Sequence, residues 1–435
     1  MSRRLGFPYL TLVVAAFMVG LGNVWKFPAM VIKYGLGGLA VYLASVVVLT
    51  GILAVAVETT KRKRYELVEY FDREYGKPSF ALLFLIFDVL LLGYYSIVGG
   101  WTLSSIILGG IPRGMLWNMG MGLAFLIFLL LILVGGTRWI ADFMVASFVL
   151  FFVAMSAVVW GMYHNVGQAA LADTLSGILV WKGVTLRMAL EMASQAAYSL
   201  GVGMGFYLVL GAILPRNVSG TRIVAAGAFL DTLMALGGLV LVVAMITIEP
   251  SSTTSGSVLL FEDLPLAIRE NLGPSMLYAF NFSLFLAAMT SMVPIGEVTG
   301  RIIGELMRLP RGYGVFVSLS LAASISIIVS LLSWLGLNPV GLLDGAVSAF
   351  ILFGGIIEAY AAVKMKDYIP GWLKAWAWMG IPLAGILGLY ALVSWCSPGS
   401  QVILAVTVLV ALGLNEKLKK RLEEMRRRIP GGYYR

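Results

Sequence analysis

Long apolar stretches alternate with short polar segments along the whole sequence. Twelve stretches are apolar over about 20 residues, the length that an α-helix needs to cross a bilayer. They cover residues 8–32, 36–58, 80–107, 116–134, 139–163, 187–214, 219–248, 274–307, 313–336, 340–362, 371–394 and 399–414. The pattern predicts an all-α polytopic membrane protein with twelve transmembrane helices. The last stretch is short, so eleven helices are an open alternative.

Two of these stretches are interrupted by glycines and polar residues at matching places in the two halves of the chain. The first interruption, residues 19–28, has the sequence VGLGNVWKFP, and the second, residues 195–205, has the sequence QAAYSLGVGMG. A single glycine pair would equally serve close helix packing. A matched pair of broken helices exposes backbone groups that lipid cannot satisfy but a ligand can. It therefore predicts a transporter with its site at the breaks.

The composition supports a membrane protein, because 60% of the residues are hydrophobic and 12% are charged, with a mean hydropathy of +0.93. The net charge of +9 would also suit a nucleic-acid-binding protein. If the N-terminus is cytoplasmic, however, all but six of the 31 Lys and Arg residues lie on the cytoplasmic side; the six are Lys26, Lys33, Arg113, Lys182, Arg187 and Arg269. This asymmetry follows the positive-inside rule. It predicts a multi-pass plasma-membrane protein with both termini in the cytoplasm and no nucleic-acid partner.

Residues with catalytic or metal-binding chemistry are few. The chain has one cysteine, Cys396, and one histidine, His164, which excludes an internal disulfide and a cysteine-based metal cluster. No nucleophile elbow or HExxH motif is present, so no enzyme is predicted. Ionisable groups within membrane spans are functional candidates by default; here they are Lys26, Glu58, Asp88, Glu191, Asp231, Glu297, Arg301, Asp344 and Glu358. The hard oxygens of Asn23, Ser199, Asp231, Thr290 and Ser291 favour a small hard cation.

At these residues the chain resembles the neurotransmitter:sodium symporter family, and in particular its prokaryotic amino-acid transporters with the leucine-transporter fold. The resemblance covers roughly residues 8–365 and rests on residues 20–28, 94–95 with 101–103, 195–205, 231–233, 287–291, and 343–344 with 354–355. It implies a transporter core at 1–365 made of inverted repeats, with spans 1–5 at about 8–163 and spans 6–10 at about 187–362. Helices 1 and 6 would be discontinuous. Peripheral spans 11 and 12 would occupy 366–414, and a basic cytoplasmic tail 415–435.

The resemblance also implies a function. The chain would be a sodium-coupled symporter that imports a neutral, hydrophobic or aromatic amino acid by alternating access, in the bilayer, as a monomer or homodimer. An amino-acid-gated sensor or channel-like protein on the same fold is the alternative. The amino acid, the sodium stoichiometry and the exchange of protons for sodium are left open.

Two sodium sites follow from the resemblance. Site one would use Met18, Asn23, Ser199 and Asp231, with the substrate carboxylate completing the shell. Site two would use the backbone of Ala16, Val19 and Ala287 with the hydroxyls of Thr290 and Ser291. Asp231 replaces the Asn common in the family. Its fixed negative charge predicts that no chloride is required, unless Asp231 is protonated, which the sequence leaves open.

The resemblance assigns the substrate site to residues around the two breaks. Carriers of amino acids have Gly at position 20, which leaves room for a carboxylate. The full set is Met18, Gly20, Gly22, Leu91, Tyr95, Tyr198, Ser199, Gly201, Met204, Ser291 and Ile295. No charged side chain lies in this set, so charged substrates are disfavoured. Phe17 and Met18 are bulkier than the residues usual in the family, which leaves the size of the substrate open.

Charged residues at the two ends of the path would act as gates. The resemblance implies an outer gate of Lys26 with Asp344, and an inner gate of Arg3 or Arg4 with Glu305. It also suggests that Glu58 ties span 2 to the unwound part of span 6. Glu297 and Arg301 are one turn apart, which predicts an internal pair. Asp88 and Glu358 receive no role.

Two further segments carry expectations. Residues 65–75 are amphipathic and are expected along the inner membrane surface. The family often has Pro ten residues after the glycine that starts span 5, where the helix unwinds. Here Gly136 is followed by Ala146 at that place. Either another weak point opens the inner path or this segment stays helical.

Overall fold

Helices make up almost all of the regular structure. The computed structural model describes residues 6–250, 256–360 and 369–428. Within these ranges ten helical stretches are long and apolar enough to cross a membrane, and Phe7–Met18 is a shorter apolar helix. No strand is present in the described ranges, apart from an isolated bridge between Gly35 and Trp181. The predicted all-α polytopic class is confirmed.

The first half of the chain contains eight helices. They are α1 (Phe7–Met18), α2 (Lys26–Lys63), α3 (Leu67–Tyr75), α4 (Ser79–Ile107), α5 (Met115–Val134), α6 (Thr137–Val166), α7 (Gln168–Ile178) and α8 (Leu186–Ser199). Three of them, α1, α2 and α8, flank the two breaks. Helix α2 joins the end of the first predicted span to the second, with a kink at Gly35. Gly35 has φ 66°, and a Cβ there would lie 2.3 Å from the Val180 carbonyl oxygen. Only glycine fits that bend.

The second half begins with the remainder of the second broken span. Its helices are α9 (Phe206–Ile213), α10 (Gly220–Ile248), α11 (Leu264–Leu272), α12 (Pro274–Met307), α13 (Arg311–Trp334), α14 (Pro339–Ala359), α15 (Gly371–Ser394), α16 (Pro398–Gly413) and α17 (Asn415–Arg428). Short turns at Gly256–Val258 and Leu259–Asp263 precede α11. The last predicted span is present as α16. Helix α6 passes through Ala146 without interruption. Of the two alternatives for this segment, the one in which it stays helical is therefore the one observed.

The broken spans lie in the interior, and the other helices surround them. Helix α1 packs against α6, α10 and α12, while α8 and α9 pack against α2. The outer helices turn apolar side chains outward, among them Leu131, Val153, Phe316, Leu389 and Leu409. Large apolar surfaces of this kind are stable when lipid covers them. The breaks are therefore shielded from lipid by protein.

Helix α3 does not lie free on a membrane surface as its amphipathic pattern suggested. Its apolar residues are buried in the protein. The Phe71 ring stacks on Phe84 of α4 with centroids 5.9 Å apart, and it also contacts Phe80 edge-on. The expectation was wrong because an amphipathic pattern does not distinguish a lipid surface from the flank of a neighbouring helix.

Candidate functional site

The first break separates α1 from α2. Helix α1 ends at Met18, and Val19 (φ −72°, ψ 110°) and Gly20 (φ −127°, ψ −176°) are extended before a short 3-10 turn at Leu21–Asn23. The last carbonyls of a helix have no partners within it, and they carry the negative end of the helix dipole. Carbonyl oxygens in this position suit a cation.

The second break, residues 200–205, depends on three alternating glycines. Gly201, Gly203 and Gly205 all have positive φ, at 66°, 77° and 70°. A Cβ on Gly203 would lie 1.9 Å from the Ile351 carbonyl oxygen, and one on Gly201 would lie 2.4 Å from the Phe17 ring. Both the backbone angle and the close approach exclude other side chains.

A polar cluster lies where the two breaks meet. Asn23 donates from Nδ2 to Asp231 Oδ1 (2.7 Å) and to the Asp231 carbonyl (3.2 Å). The Ser199 hydroxyl donates to Asp231 Oδ2 (2.7 Å) and lies 3.4 Å from Asn23 Oδ1. Asp231, Asn23 and Ser199 are 0%, 2% and 6% exposed. The structure thus brings together three predicted ligands of site one in a buried, oxygen-rich group beside the end of α1.

The predicted residues of site two lie on two segments that pack together, α12 and the end of α1. The hydroxyls of Thr290 and Ser291 lie one turn above Leu286 and Ala287 on α12, and both lie within hydrogen-bond distance of the Ala287 carbonyl, at 3.2 and 3.0 Å. A Cβ on Gly20 would lie 3.1 Å from Ser291 Oγ, so the end of α1 reaches this helix. Ala16 and Val19, in or just after the last turn of α1, are buried there.

A cavity of about 200 Å³ lies between the breaks. All the residues predicted for the substrate line it: Met18, Gly20, Gly22, Leu91, Tyr95, Tyr198, Ser199, Gly201, Met204, Ser291 and Ile295. Phe17 also lines it, and its ring packs on Phe206 with centroids 4.3 Å apart. Lys26 and Asp344 are the only lining residues of the acidic or basic types. The wall is otherwise neutral and largely apolar.

Aromatic rings and the predicted outer charges lie at one end of the cavity. Lys26 Nζ lies 5.0 Å from the Tyr198 ring centroid and 5.8 Å from that of Trp395. Asp344 accepts from the Tyr94 hydroxyl (2.8 Å) instead of pairing with Lys26. The Tyr198 hydroxyl donates to the Ser348 carbonyl (3.0 Å), which holds the ring across the cavity. Trp395 was not among the predicted site residues, because it lies after a span that the resemblance makes peripheral.

At the end of the path predicted to be the inner one, Glu305 caps a helix. Its carboxylate accepts from the backbone N–H groups of Val68 (2.8 Å) and Glu69 (2.5 Å) at the start of α3. A carboxylate at a helix N-terminus satisfies free donors and the dipole. Arg3 and Arg4, its predicted partners, lie outside the described residues.

The carboxylate behind the second break is Glu358, not Glu58. Glu358 accepts from the N–H groups of Gly203 and Gly205, each at 2.8 Å. Glu58 instead pairs with Lys61 (2.9 Å) and accepts from the Thr221 N–H (3.2 Å). The sequence suggestion for Glu58 was wrong. The glycines of α14 let that helix, rather than α2, approach residues 200–205 directly.

The remaining intramembrane charges differ in their surroundings. Glu297 and Arg301 form the predicted pair at 2.7 Å, and Arg301 also binds Glu66. Arg311 of α13 pairs with Glu297 as well. Asp88 on α4, by contrast, is 1% exposed and its Oδ2 has no hydrogen-bond partner in the described part of the chain.

A second cavity, of about 780 Å³, lies between α1, α6, α9 and α12. Its lining is mostly apolar and includes Leu10, Met144 and Phe206. At one edge the Tyr9 hydroxyl donates to Asp142 (2.6 Å), which joins α1 to α6. The cavity therefore borders the N-terminal half of the first broken span and the C-terminal half of the second.

Comparison with known proteins supports the predicted resemblance. No protein-family model matches the chain. An uncharacterized sodium-dependent transporter of Haemophilus influenzae is 23% identical over 359 residues, which are 71% of this chain and 75% of that protein. The crystal structure of MhsT in complex with L-phenylalanine has a TM-score of 0.74 and 22% identity, over 90% of this chain and 98% of MhsT. The chain thus has the leucine-transporter fold that the sequence resemblance implied.

Proposed function

We propose that the chain is a sodium-coupled symporter that imports a neutral, hydrophobic or aromatic amino acid by alternating access. The observation that carries this proposal is the buried cluster of Asn23, Ser199 and Asp231 at the meeting point of the breaks. Such oxygen ligands suit a hard cation. The sodium-dependent relative and the L-phenylalanine complex of MhsT support the same function.

Sodium would bind at two places beside the cavity. Site one comprises the Met18 backbone, Asn23, Ser199 and Asp231, and the substrate carboxylate adds a ligand. Site two comprises the carbonyls of Ala16, Val19 and Ala287 with the hydroxyls of Thr290 and Ser291. Because Asp231 supplies a fixed negative charge next to site one, we expect transport without chloride.

The cavity gives each part of an amino acid a different environment. The backbone of Gly20 and Gly22 with the Tyr95 hydroxyl would hold the carboxylate, and the carbonyls after Tyr198 would hold the amine. Leu91, Met204 and Ile295 would contact the side chain. Since burying an unpaired charge is costly, this wall favours a neutral and apolar side chain.

Closure would involve both ends of the path. At the outer end, Lys26 leaves the aromatic rings and pairs with Asp344 while Tyr198 covers the substrate. At the inner end, Glu305 would meet Arg4 from its position at α3. The protein would span the plasma membrane with both termini in the cytoplasm, as the charge asymmetry predicts.

The test is uptake of labelled L-phenylalanine into proteoliposomes with an inward sodium gradient. We expect accumulation above equilibrium, in chloride-free sodium gluconate as in sodium chloride. Asp231→Ala should abolish it, while Asp173→Asn, an exposed site on α7, serves as the control and should not. Uptake that only equilibrates would favour the channel-like alternative, and loss of uptake in gluconate would contradict chloride independence.

A further inference from the structure

The second cavity is distinct from the substrate cavity, and the two share a wall of aromatic rings. Phe17 lines the substrate cavity, Phe206 lines the second cavity, and their ring centroids lie 4.3 Å apart. The second cavity has a volume of about 780 Å³, against about 200 Å³ for the first. Pockets that bind small molecules commonly measure roughly 300–1,000 Å³. The second cavity is therefore large enough to be a binding site in its own right.

The interior of the second cavity is apolar and enclosed. Its walls are formed by side chains of α1, α6 and α9 that are at most 6% exposed: Leu10, Val13, Met144, Val209 and Leu210. Glu297 also reaches the lining, but Arg301 and Arg311 already bind its charge. An apolar group placed here gains free energy by leaving water, whereas an unpaired charge would lose its hydration. The interior therefore suits the apolar part of a ligand.

One edge of this cavity carries two opposite charges that are open to solvent. Arg138 and Asp142 lie one turn apart on α6, and their side chains are 65% and 52% exposed. Arg138 Nε lies 4.0 Å from Asp142 Oδ2, and neither atom makes a hydrogen bond within the described part of the chain. The Tyr9 hydroxyl donates to the other carboxylate oxygen, Oδ1, at 2.6 Å. Exposed pairs of this kind are weak, so both charged groups can bind a ligand at little cost.

We propose that the second cavity binds a neutral amino acid with an apolar side chain, whose ammonium group contacts Asp142 and whose carboxylate contacts Arg138. The class of this ligand rests on the proposed transport function. The ammonium group, the carboxylate and the side chain of an α-amino acid all extend from one carbon atom. Such a molecule can place two opposite charges at the open edge and its side chain in the apolar interior. Both contacts are charge-assisted, and the planar guanidinium group suits a carboxylate.

Binding at this second site does not need sodium. The described residues that line the second cavity include none of the predicted sodium ligands, whereas Asn23 and Ser199 line the first cavity. In the first cavity the substrate carboxylate would add a ligand to a sodium ion. In the second, a side chain of the protein matches each charge of the amino acid, so no cation is required. The two cavities therefore differ in their dependence on sodium, which allows them to be measured separately.

Equilibrium dialysis of labelled L-phenylalanine with the full chain in lipid nanodiscs tests this site. In sodium-free potassium gluconate the wild type should bind the amino acid. Arg138→Gln and Asp142→Asn should each weaken this binding about tenfold or more, since each removes a charge-assisted contact. Arg73→Gln is the control, because it changes an ion pair of the same spacing on α3, outside the cavity, and it should have no effect. No sodium-free binding by the wild type, or an equal loss in the control, would overturn the proposal.

Analogues of the ligand show whether each side chain binds its assigned charge. L-Phenylalaninol lacks the carboxylate and phenylpropionate lacks the ammonium group, so both should bind the wild type less tightly than L-phenylalanine. Arg138→Gln should lose the preference over phenylalaninol and keep that over phenylpropionate, and Asp142→Asn should do the reverse. If the pair had only a structural role, each variant would lower the three affinities together, which would overturn the proposal.

Filling the cavity and changing the lipid complete the test. Ala141→Phe adds a ring at the lining and should abolish sodium-free binding, whereas Ala157→Phe, on the same helix but outside the lining, should not. Binding should be equal in nanodiscs of phosphatidylcholine and of phosphatidylglycerol. Binding that occurs only in phosphatidylglycerol would mean that a zwitterionic lipid headgroup occupies the edge, and would overturn the proposal. None of these measurements involves sodium-driven uptake, so failure of the proposed transport function would be seen separately, as a loss of accumulation in proteoliposomes.

Discussion

The two broken spans differ in which of their backbone groups the surrounding protein already binds. The first break, after α1, exposes carbonyl oxygens beside the oxygens of Asn23 and Asp231. The second break exposes N–H groups, and the protein's own Glu358 already binds two of them. A broken helix therefore does not by itself define the charge of its ligand. What decides it is the set of groups that the surrounding helices leave without partners.

Removing the backbone freedom of the second break should have the largest effect. Gly203→Ala places a Cβ 1.9 Å from the Ile351 carbonyl at a positive φ, so we expect loss of uptake and a melting temperature lower by several degrees. Gly237→Ala on α10 is the control, since a Cβ there meets open space. Thermal unfolding of both variants measures the difference in melting temperature. Equal melting temperatures would show that residues 200–205 do not need this geometry.

Changing the acidic residue at the first break should have the next largest effect. Asp231→Asn keeps the shape but removes the charge, so we expect sodium affinity to fall about tenfold, roughly 1.4 kcal/mol, and chloride to increase uptake. Sodium titrations of uptake with and without chloride measure both changes. An unchanged affinity would mean that Asp231 is neutral in the sodium-bound protein.

Changing Glu358, which binds the N–H groups of the second break, should have a smaller effect. Glu358→Gln replaces one acceptor oxygen with a donor, which leaves one glycine N–H unsatisfied and should destabilise folding by about 1–3 kcal/mol. Glu58→Gln is the matched variant and should cost less, because its amide oxygen can still accept from the Thr221 N–H and Lys61 keeps its bond to the Val218 carbonyl. Denaturant unfolding compares the two, and the reverse order would favour the role first suggested for Glu58.

Changing Phe17, which lines the cavity, should have the smallest effect. Phe17→Leu shortens a ring that fills space beside Gly201 and should cost about 1 kcal/mol of stability. It should shift binding by a few fold from L-phenylalanine toward L-tryptophan. Competition against labelled L-phenylalanine measures the ratio, and Met292→Leu, on the cavity wall, controls for a general loss of packing.

The positions of the breaks could be predicted from the sequence because glycines and polar residues stand out in apolar spans. Asn23, Ser199 and Asp231 were also recognisable by type and by motif. The partner of the second break was not, because Glu58 and Glu358 are both carboxylates within spans. Their distances to Gly203 depend on how closely α2 and α14 pack. Likewise, Trp395 comes close to Lys26 and Tyr198 only because α15 packs against α8.

The contact between Phe17 and Gly201 joins the two breaks directly, since the ring occupies the space where a side chain at position 201 would lie. The two positions are therefore constrained as a pair. Among relatives of this chain, we expect residue identities at 17 and 201 to vary together: a side chain at 201 should occur only with a small residue at 17 and with a different backbone angle at 201. In an alignment of such relatives, the residues at these two positions would then indicate how broad a range of substrates each relative accepts.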